Sequence, residues 1–170
     1  MHHPGIDAAL AAVGNHSESD ALQKLFAEMN INETDLRKHP FKLVELRFWS
    51  DEARGLQMEF EDAGLRTHIP NHDLGDGPWV LTNFVYWGAR KNKPAYGGPL
   101  PFGLDFSMSR DKVREVLHRH GLGVATVMGF SGHVDMWDLT SGELTVDFSA
   151  LNDGIRCVAI GVPIDRTDQE

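Results

Sequence analysis

The chain has a single cysteine, Cys157, among 170 residues. One thiol can form neither an intrachain disulfide nor a thiolate metal cluster, and this suits a reducing compartment. Positive charge is also scarce. Sixteen Lys and Arg stand against 25 Asp and Glu, giving a net charge of −9. Nucleic acid and anionic membrane both need basic surface, so neither is expected as a partner. A basic protein fits better, because opposite fields speed encounter. No apolar run approaches the ~18–20 residues that cross a bilayer. The opening MHHPGIDAALAAVGNHSESD has no basic start and no long apolar core, so it does not read as a signal peptide. The cytoplasm is the expected compartment. His2 and His3 are too few for a purification tag.

Catalytic signatures are missing as well. There is no HExxH. His68 and His72 are four apart but separated by Pro70, so no helix presents both on one face. His118 and His120 are two apart near a predicted helix end and point in different directions. His133 reads as a sheet-edge residue. Neither histidine pair is expected to bind metal, and no cofactor is expected. Ser131, in GFSGH, is only loosely similar to a nucleophile elbow. The segment YGGPLPFG lacks the lysine and helix of a phosphate loop. Cys157, inside the apolar run 155–162, reads as a small core hydrophobe. Asp135, Asp138 and Asp147 could face one another across a hairpin, yet such groups are more often a solvated strand face.

What the chain does have is periodicity. Four Trp, nine Phe and a 41% apolar share are enough for a packed core, which argues against disorder. Leu22, Leu25, Phe26 and Met29 follow helical spacing, with Ser17 or Ser19 as cap. A short second helix is expected from Asn32, stopping at Pro40. In FKLVELRFW the row Val44, Leu46, Phe48 is the apolar one, and Trp49 ends the strand. After the turn at SDEARG, Leu56, Met58 and Phe60 alternate with Gln57, Glu59 and Glu61. That pattern marks an antiparallel sheet with one wet face. A short strand is expected at 65–69, then a loop, then a central strand in WVLTNFVYWGA, which is apolar on both sides. Residues 89–103 read as a long irregular loop holding Arg90, Lys91 and Lys93. Beside it lie Tyr86, Tyr96, Phe102 and Phe106, as interface anchors or as core. Ser109 caps a further helix, which buries Val113, Val116 and Leu117 and ends at Gly121. A strand at LGVATVMGF, a hairpin turning at Thr140–Ser141–Gly142, and GIRCVAIGVP complete the sheet. Residues 164–170 form a polar tail.

Trp49, Leu56 and Phe60 recur without a gap, 88 positions later, as Trp137, Leu144 and Phe148. Each is preceded by a helix, and Gly64-Leu65-Arg66 answers Gly154-Ile155-Arg156. One helix on a few strands has a thin core, and two such units together bury more. The expected fold is therefore α+β. It is a single globular domain over 1–170, built from two similar units at about 17–88 and 100–163. Each unit is a helix plus antiparallel strands, with the helices packed on one face of the sheet.

The segment Phe102-Gly103-Leu104-Asp105-Phe106-Ser107-Met108-Ser109 runs into Arg110–Leu117 and is followed by Val134-Asp135-Met136-Trp137 and Leu144–Phe148. This pattern resembles bacterial immunity proteins of polymorphic toxin systems. It is also similar to the helix-plus-sheet units of β-lactamase-inhibitor protein and of SmpA/BamE-like outer-membrane lipoproteins. The match covers roughly 100–162 and, more weakly, 17–70. The chain departs from the lipoprotein type in having no lipobox cysteine, and from the inhibitor type in having no secretion signal or disulfides. The resemblance implies a non-catalytic binder, monomeric or weakly dimeric, that neutralises a toxin effector. The contacts expected for a basic partner are Asp51, Glu52, Glu59, Glu61 and Asp62 of the wet strand face and its turn, Asp73 and Asp76 of the loop, and Tyr96 as an aromatic anchor. A secretion chaperone or adaptor, and an enzyme built on His68, His72 or the hairpin aspartates, are the alternatives.

Overall fold

In the computed structural model, residues 3–38, 43–65, 67, 69–149 and 154–163 are described. Three helices, α1 (Ile6–Ala12), α2 (Asp20–Met29) and α3 (Arg110–Arg119), accompany eight strands. The strands are β1 (Arg37–Lys38), β2 (Leu46–Asp51), β3 (Leu56–Asp62), β4 (Trp79–Trp87), β5 (Thr126–Met128), β6 (Val134–Leu139), β7 (Gly142–Asp147) and β8 (Cys157–Gly161). They form one antiparallel sheet in the order β1-β2-β3-β4-β8-β7-β6-β5. The fold is α+β, as the sequence indicates.

The helices start where side chains cap them. Ser19 accepts the Leu22 N–H and Ser109 the Lys112 N–H, each taking up a donor that the first turn leaves unpaired. Leu22, Leu25, Phe26 and Met29 of α2 and Val113 and Leu117 of α3 are buried against one face of the sheet. Helix α1 was not legible: IDAALAA buries only alanines, which carry little periodic contrast. Around Asn32 the expected helix is a single 3-10 turn, Glu33–Asp35, leading directly into β1; its expected stop, Pro40, lies outside the described residues. No strand is formed at 65–69 among the described residues. Ala63–Leu65 is a 3-10 turn, and Arg66 and His68 lie outside the description, as does the tail 164–170.

On one side of the β4–β8 seam the chain runs α1, α2 and β1–β4, and on the other α3 and β5–β8. A single cross-strand row runs through six strands: Trp49, Met58, Phe84, Ile160, Leu144, Trp137. All six are buried on the helix face. The ungapped sequence match does not carry through this register. Trp49 pairs with Met58 whereas Trp137 pairs with Leu144. Four residues turn the first hairpin and two the second, so Leu144 answers Met58 rather than Leu56. The structure fixes the orientation of β2. Trp49 faces the core, and Leu46 and Phe48 lie half-buried on the opposite, open face.

Gly55 in the first hairpin turn has φ +68°, and a Cβ there would stand 2.5 Å from the backbone nitrogen of Tyr96. Left-handed backbone is costly for a side chain, and the neighbour here is main chain. Gly55→Ala is expected to lower stability by on the order of 2 kcal/mol, read as a shifted urea midpoint. A loss below about 0.5 kcal/mol would show that the 95–96 segment yields freely.

Candidate functional site

The open face of the sheet has a floor of small or short groups near the seam: Gly161, Thr145, Thr82 and Asn83. Two hollows lie on this face, of about 440 and 270 Å³. The first is lined by Leu46, Arg47, Phe48, Ser50, Gln57 and Phe60, the second by Asn83, Glu143, Thr145, Gly161 and Val162, and both by Glu59, Glu61 and Thr82. They therefore form one trough from β2 to β7. A β-bulge produces the bend. Leu81 pairs with Phe60 and Asn83 with Glu59, so Thr82 is extra, and an extra residue kinks its strand. The bulge is held by Thr82 Oγ1 donating to the Glu59 carbonyl (3.1 Å) and by the Val162 N–H donating to the Thr82 carbonyl (2.9 Å).

Glu59 is exposed and is held in place by its neighbours. Trp87 Nε1 donates to Gln57 Oε1 (3.2 Å), Gln57 Nε2 to Glu59 Oε1 (3.1 Å), and Asn83 Nδ2 to Glu59 Oε2 (3.3 Å). Arg90 lies over the Trp87 ring at 4.2 Å. This places a fixed carboxylate at the middle of the trough, with Glu61 beside it; Glu143, across the seam, also lines it but is buried. Glu143 was not among the expected contacts. Its alternation with Leu144 and Val146 in ELTVDF was the available signal.

The expected contact residues divide by location. Glu59 and Glu61 line the trough. Glu52 is exposed in the β2–β3 turn and pairs with Lys93 Nζ at 2.8 Å, which lowers its pKa. Asp73 and Asp76 are exposed in the loop at the opposite end of β3, about 20 Å away along the strand. Asp51 is not on the wet face. It lies on the helix side, half-buried, bound to Arg54 Nε at 2.7 Å. Two further expectations are overturned. Asp62 is fully buried, and Tyr96 is 3% exposed. Tyr96 packs ring to ring with Tyr86, centroids 5.0 Å apart, because the 88–100 segment folds back under the sheet after a tight turn at Arg90–Lys93. It is core, not an exposed anchor.

Asp62 closes the loop that connects β3 to β4. Its carboxylate accepts N–H groups from Gly64 (2.8 Å), Gly75 (2.7 Å) and Gly77 (3.1 Å), and meets His72 Nε2 at 2.5 Å. Burial alone would raise its pKa. The three backbone donors and His72 outweigh burial, and the pKa falls below the ordinary value. His68, the other half of the expected histidine pair, lies outside the described residues. Asp135 is, like Asp62, a fully buried carboxylate. Arg110 (2.6 Å) and Arg114 (2.7 Å) of α3 both bind it. Their hydrogen bonds outweigh its burial and lower its pKa. Asp135 is on the helix face, whereas Asp138 and Asp147 are on the open face, so the three do not converge. Strand parity separates Asp135 from the other two, and Asp138 and Asp147, although on one face, lie four rungs apart along the hairpin, about 13 Å.

Cys157 is half-buried on the open face rather than in the core, and burial together with Asp147 pushes its thiol up to about 12. Such a thiol carries almost no thiolate at neutral pH. His118 and His120 are exposed. Among the described residues no three His, Cys, Asp or Glu side chains are gathered as a metal ion would require, and no helix is long and apolar enough to cross a membrane. Compared with protein-family models, with curated proteins and with solved structures, the chain matches none.

Proposed function

We propose that the chain is a non-catalytic protein-binding module that receives a basic surface of its partner in the acidic trough of the open sheet face. The observation behind this reading is Glu59, a carboxylate fixed by Gln57 and Asn83 above a bent floor of small residues. A groove of this shape accepts a protruding loop or helix edge. Half-exposed Leu46 and Phe48 at one end supply apolar contact, and the carboxylates select cations. Together with the resemblance of residues 100–162 to immunity proteins, the role supported best is the neutralisation of a cognate bacterial toxin effector by direct binding.

The test uses the product of the adjacent reading frame as the partner. Association followed by stopped-flow fluorescence is expected to slow at least ~tenfold between about 50 and 500 mM salt. The Glu59→Lys, Glu61→Lys double variant is expected to slow it by a similar factor at low salt while still unfolding in one cooperative urea transition. A salt-independent rate, or wild-type association by the double variant, removes the trough as the contact. A stable homodimer by light scattering favours the adaptor alternative instead.

A further inference from the structure

Among the described residues Glu59 forms no ion pair. Its carboxylate accepts instead from two neutral amides, Gln57 Nε2 on Oε1 and Asn83 Nδ2 on Oε2. Arg47, which lines the same hollow, is engaged elsewhere. Its guanidinium lies over the Trp79 ring and donates to the carbonyls of Val44, Leu46 and Gly75. Arg90 is stacked on the Trp87 ring, and Lys93 is paired with Glu52. The direction of the Gln57 amide is set by Trp87. An indole N–H can only donate, so Gln57 turns its carbonyl to Trp87 and its amino group to Glu59. The plane of the Glu59 carboxylate is thereby fixed before anything binds.

A fixed plane favours one kind of cation. A carboxylate offers roughly four acceptor positions. Each amide fills one, on a different oxygen, so both oxygens keep a position open. Two such positions in one plane match the parallel N–H groups of a guanidinium. An ammonium is a strongly hydrated point charge and gains nothing from the plane. The wall of the hollow points the same way. Phe48 stands directly opposite Glu59 on β2, half-buried on the open face. Side chains so paired are about 5 Å apart, which puts the ring within reach of a guanidinium seated on Glu59. A guanidinium stacks on such a ring more readily than an ammonium does. Leu46, half-buried two residues along β2, supplies apolar surface for the methylene stem. Resting on the reading of the trough as the contact surface, we propose that Glu59 is the seat of an arginine side chain of the partner protein, taken in preference to lysine. Gln57 and Trp87 act as its positioning residues.

The probes are two fluorescein-labelled hexapeptides, one alternating glycine with arginine and one alternating glycine with lysine. Each is titrated with the full chain at about 150 mM salt and read by anisotropy. The peptides carry equal charge, so the ratio of their affinities removes the general attraction of an acidic protein for cations. The arginine peptide is expected to bind at least ~fivefold tighter. Glu59→Gln, at an exposed position, is expected to bring the ratio to about one. Trp87→Phe keeps a ring beneath Arg90 and removes the indole N–H. It is expected to cut the ratio to about twofold or less while lysine binding stays within ~twofold of wild type. Equal affinities for the two peptides, both weakened by Glu59→Gln, overturn the arginine assignment and leave the trough as the contact. Affinities that Glu59→Gln leaves unchanged overturn both. No binding of either peptide at millimolar concentration, or a ratio unaltered in either variant, overturns the assignment. So does a concentration-dependent dimer that Glu59→Gln abolishes, because the arginine would then come from a second copy.

Discussion

Asp62→Ala is expected to cost about 3–5 kcal/mol of folding stability, the range for removing one partner of a buried charged cluster. The substitution leaves the N–H groups of Gly64, Gly75 and Gly77 without their shared acceptor. They belong to one loop, so the loss falls on its whole path from β3 to β4. Asp62→Asn keeps one acceptor oxygen and is expected to fall in between. The sign of the pH dependence follows from the lowered pKa. The unfolded carboxyl titrates near 3.9 and the folded one lower, so the unfolded chain binds the proton first. The stabilisation is fully present above about pH 4 and is lost as pH falls through the folded value. Asp135 contributes with the same sign. Urea melts at pH 7, 4 and 3 should show a steeper acid loss for the wild type than for Asp62→Ala. Parallel curves, or a cost below about 1 kcal/mol at pH 7, would remove Asp62 as the loop's anchor.

Phe84→Ala is expected to cost a further, independent ~3–5 kcal/mol. Phe84 is fully buried and pairs with Met58 on one side and Ile160 on the other, so it sits at the seam between the two flanks of the sheet. Truncating it opens a void that both flanks line, and interiors close-packed at this density collapse only partly. Phe84→Ala and Ile160→Ala should therefore be non-additive by ~0.5–3 kcal/mol. Phe130→Ser, at a fully exposed position, should stay within about 0.5 kcal/mol of wild type. A two-step melt of Phe84→Ala would show instead that the flanks unfold separately.

Periodic elements were legible in the sequence, and long-range placement was not. The alternation of Leu56, Met58 and Phe60 with Gln57, Glu59 and Glu61 gave β3 its correct faces, because each parity class was uniform. In β2 both classes mix, with Arg47 beside Trp49 and Leu46 beside Phe48, so local pattern left its orientation open. Arg47 reaches the helix face by lying over the Trp79 ring at 4.2 Å, a contact 32 positions away that no window of sequence contains. Asp62 ends the same run of acids as Glu59 and Glu61. It was read as a surface group because its partners, Gly64, Gly75, Gly77 and His72, gather only when the loop closes. Tyr96 was misplaced for a related reason: a segment rich in Gly and Pro was taken to run outside, whereas it folds back and fills the core. The trough was half legible. Its β3 wall came from alternation, but its floor depends on β8 lying beside β4, which pairs residues 70 to 78 positions apart.

That pairing sets an order of events during synthesis. Strand β8 lies in the middle of the sheet, hydrogen-bonded to β4 on one side and β7 on the other. Until residues 157–161 have left the ribosome, a nascent chain holds two half-sheets whose inner borders are bare and whose central row is split. The two halves are then separate sticky surfaces, so the interval between emergence of β4 and arrival of β8 is when a holdase would be most needed.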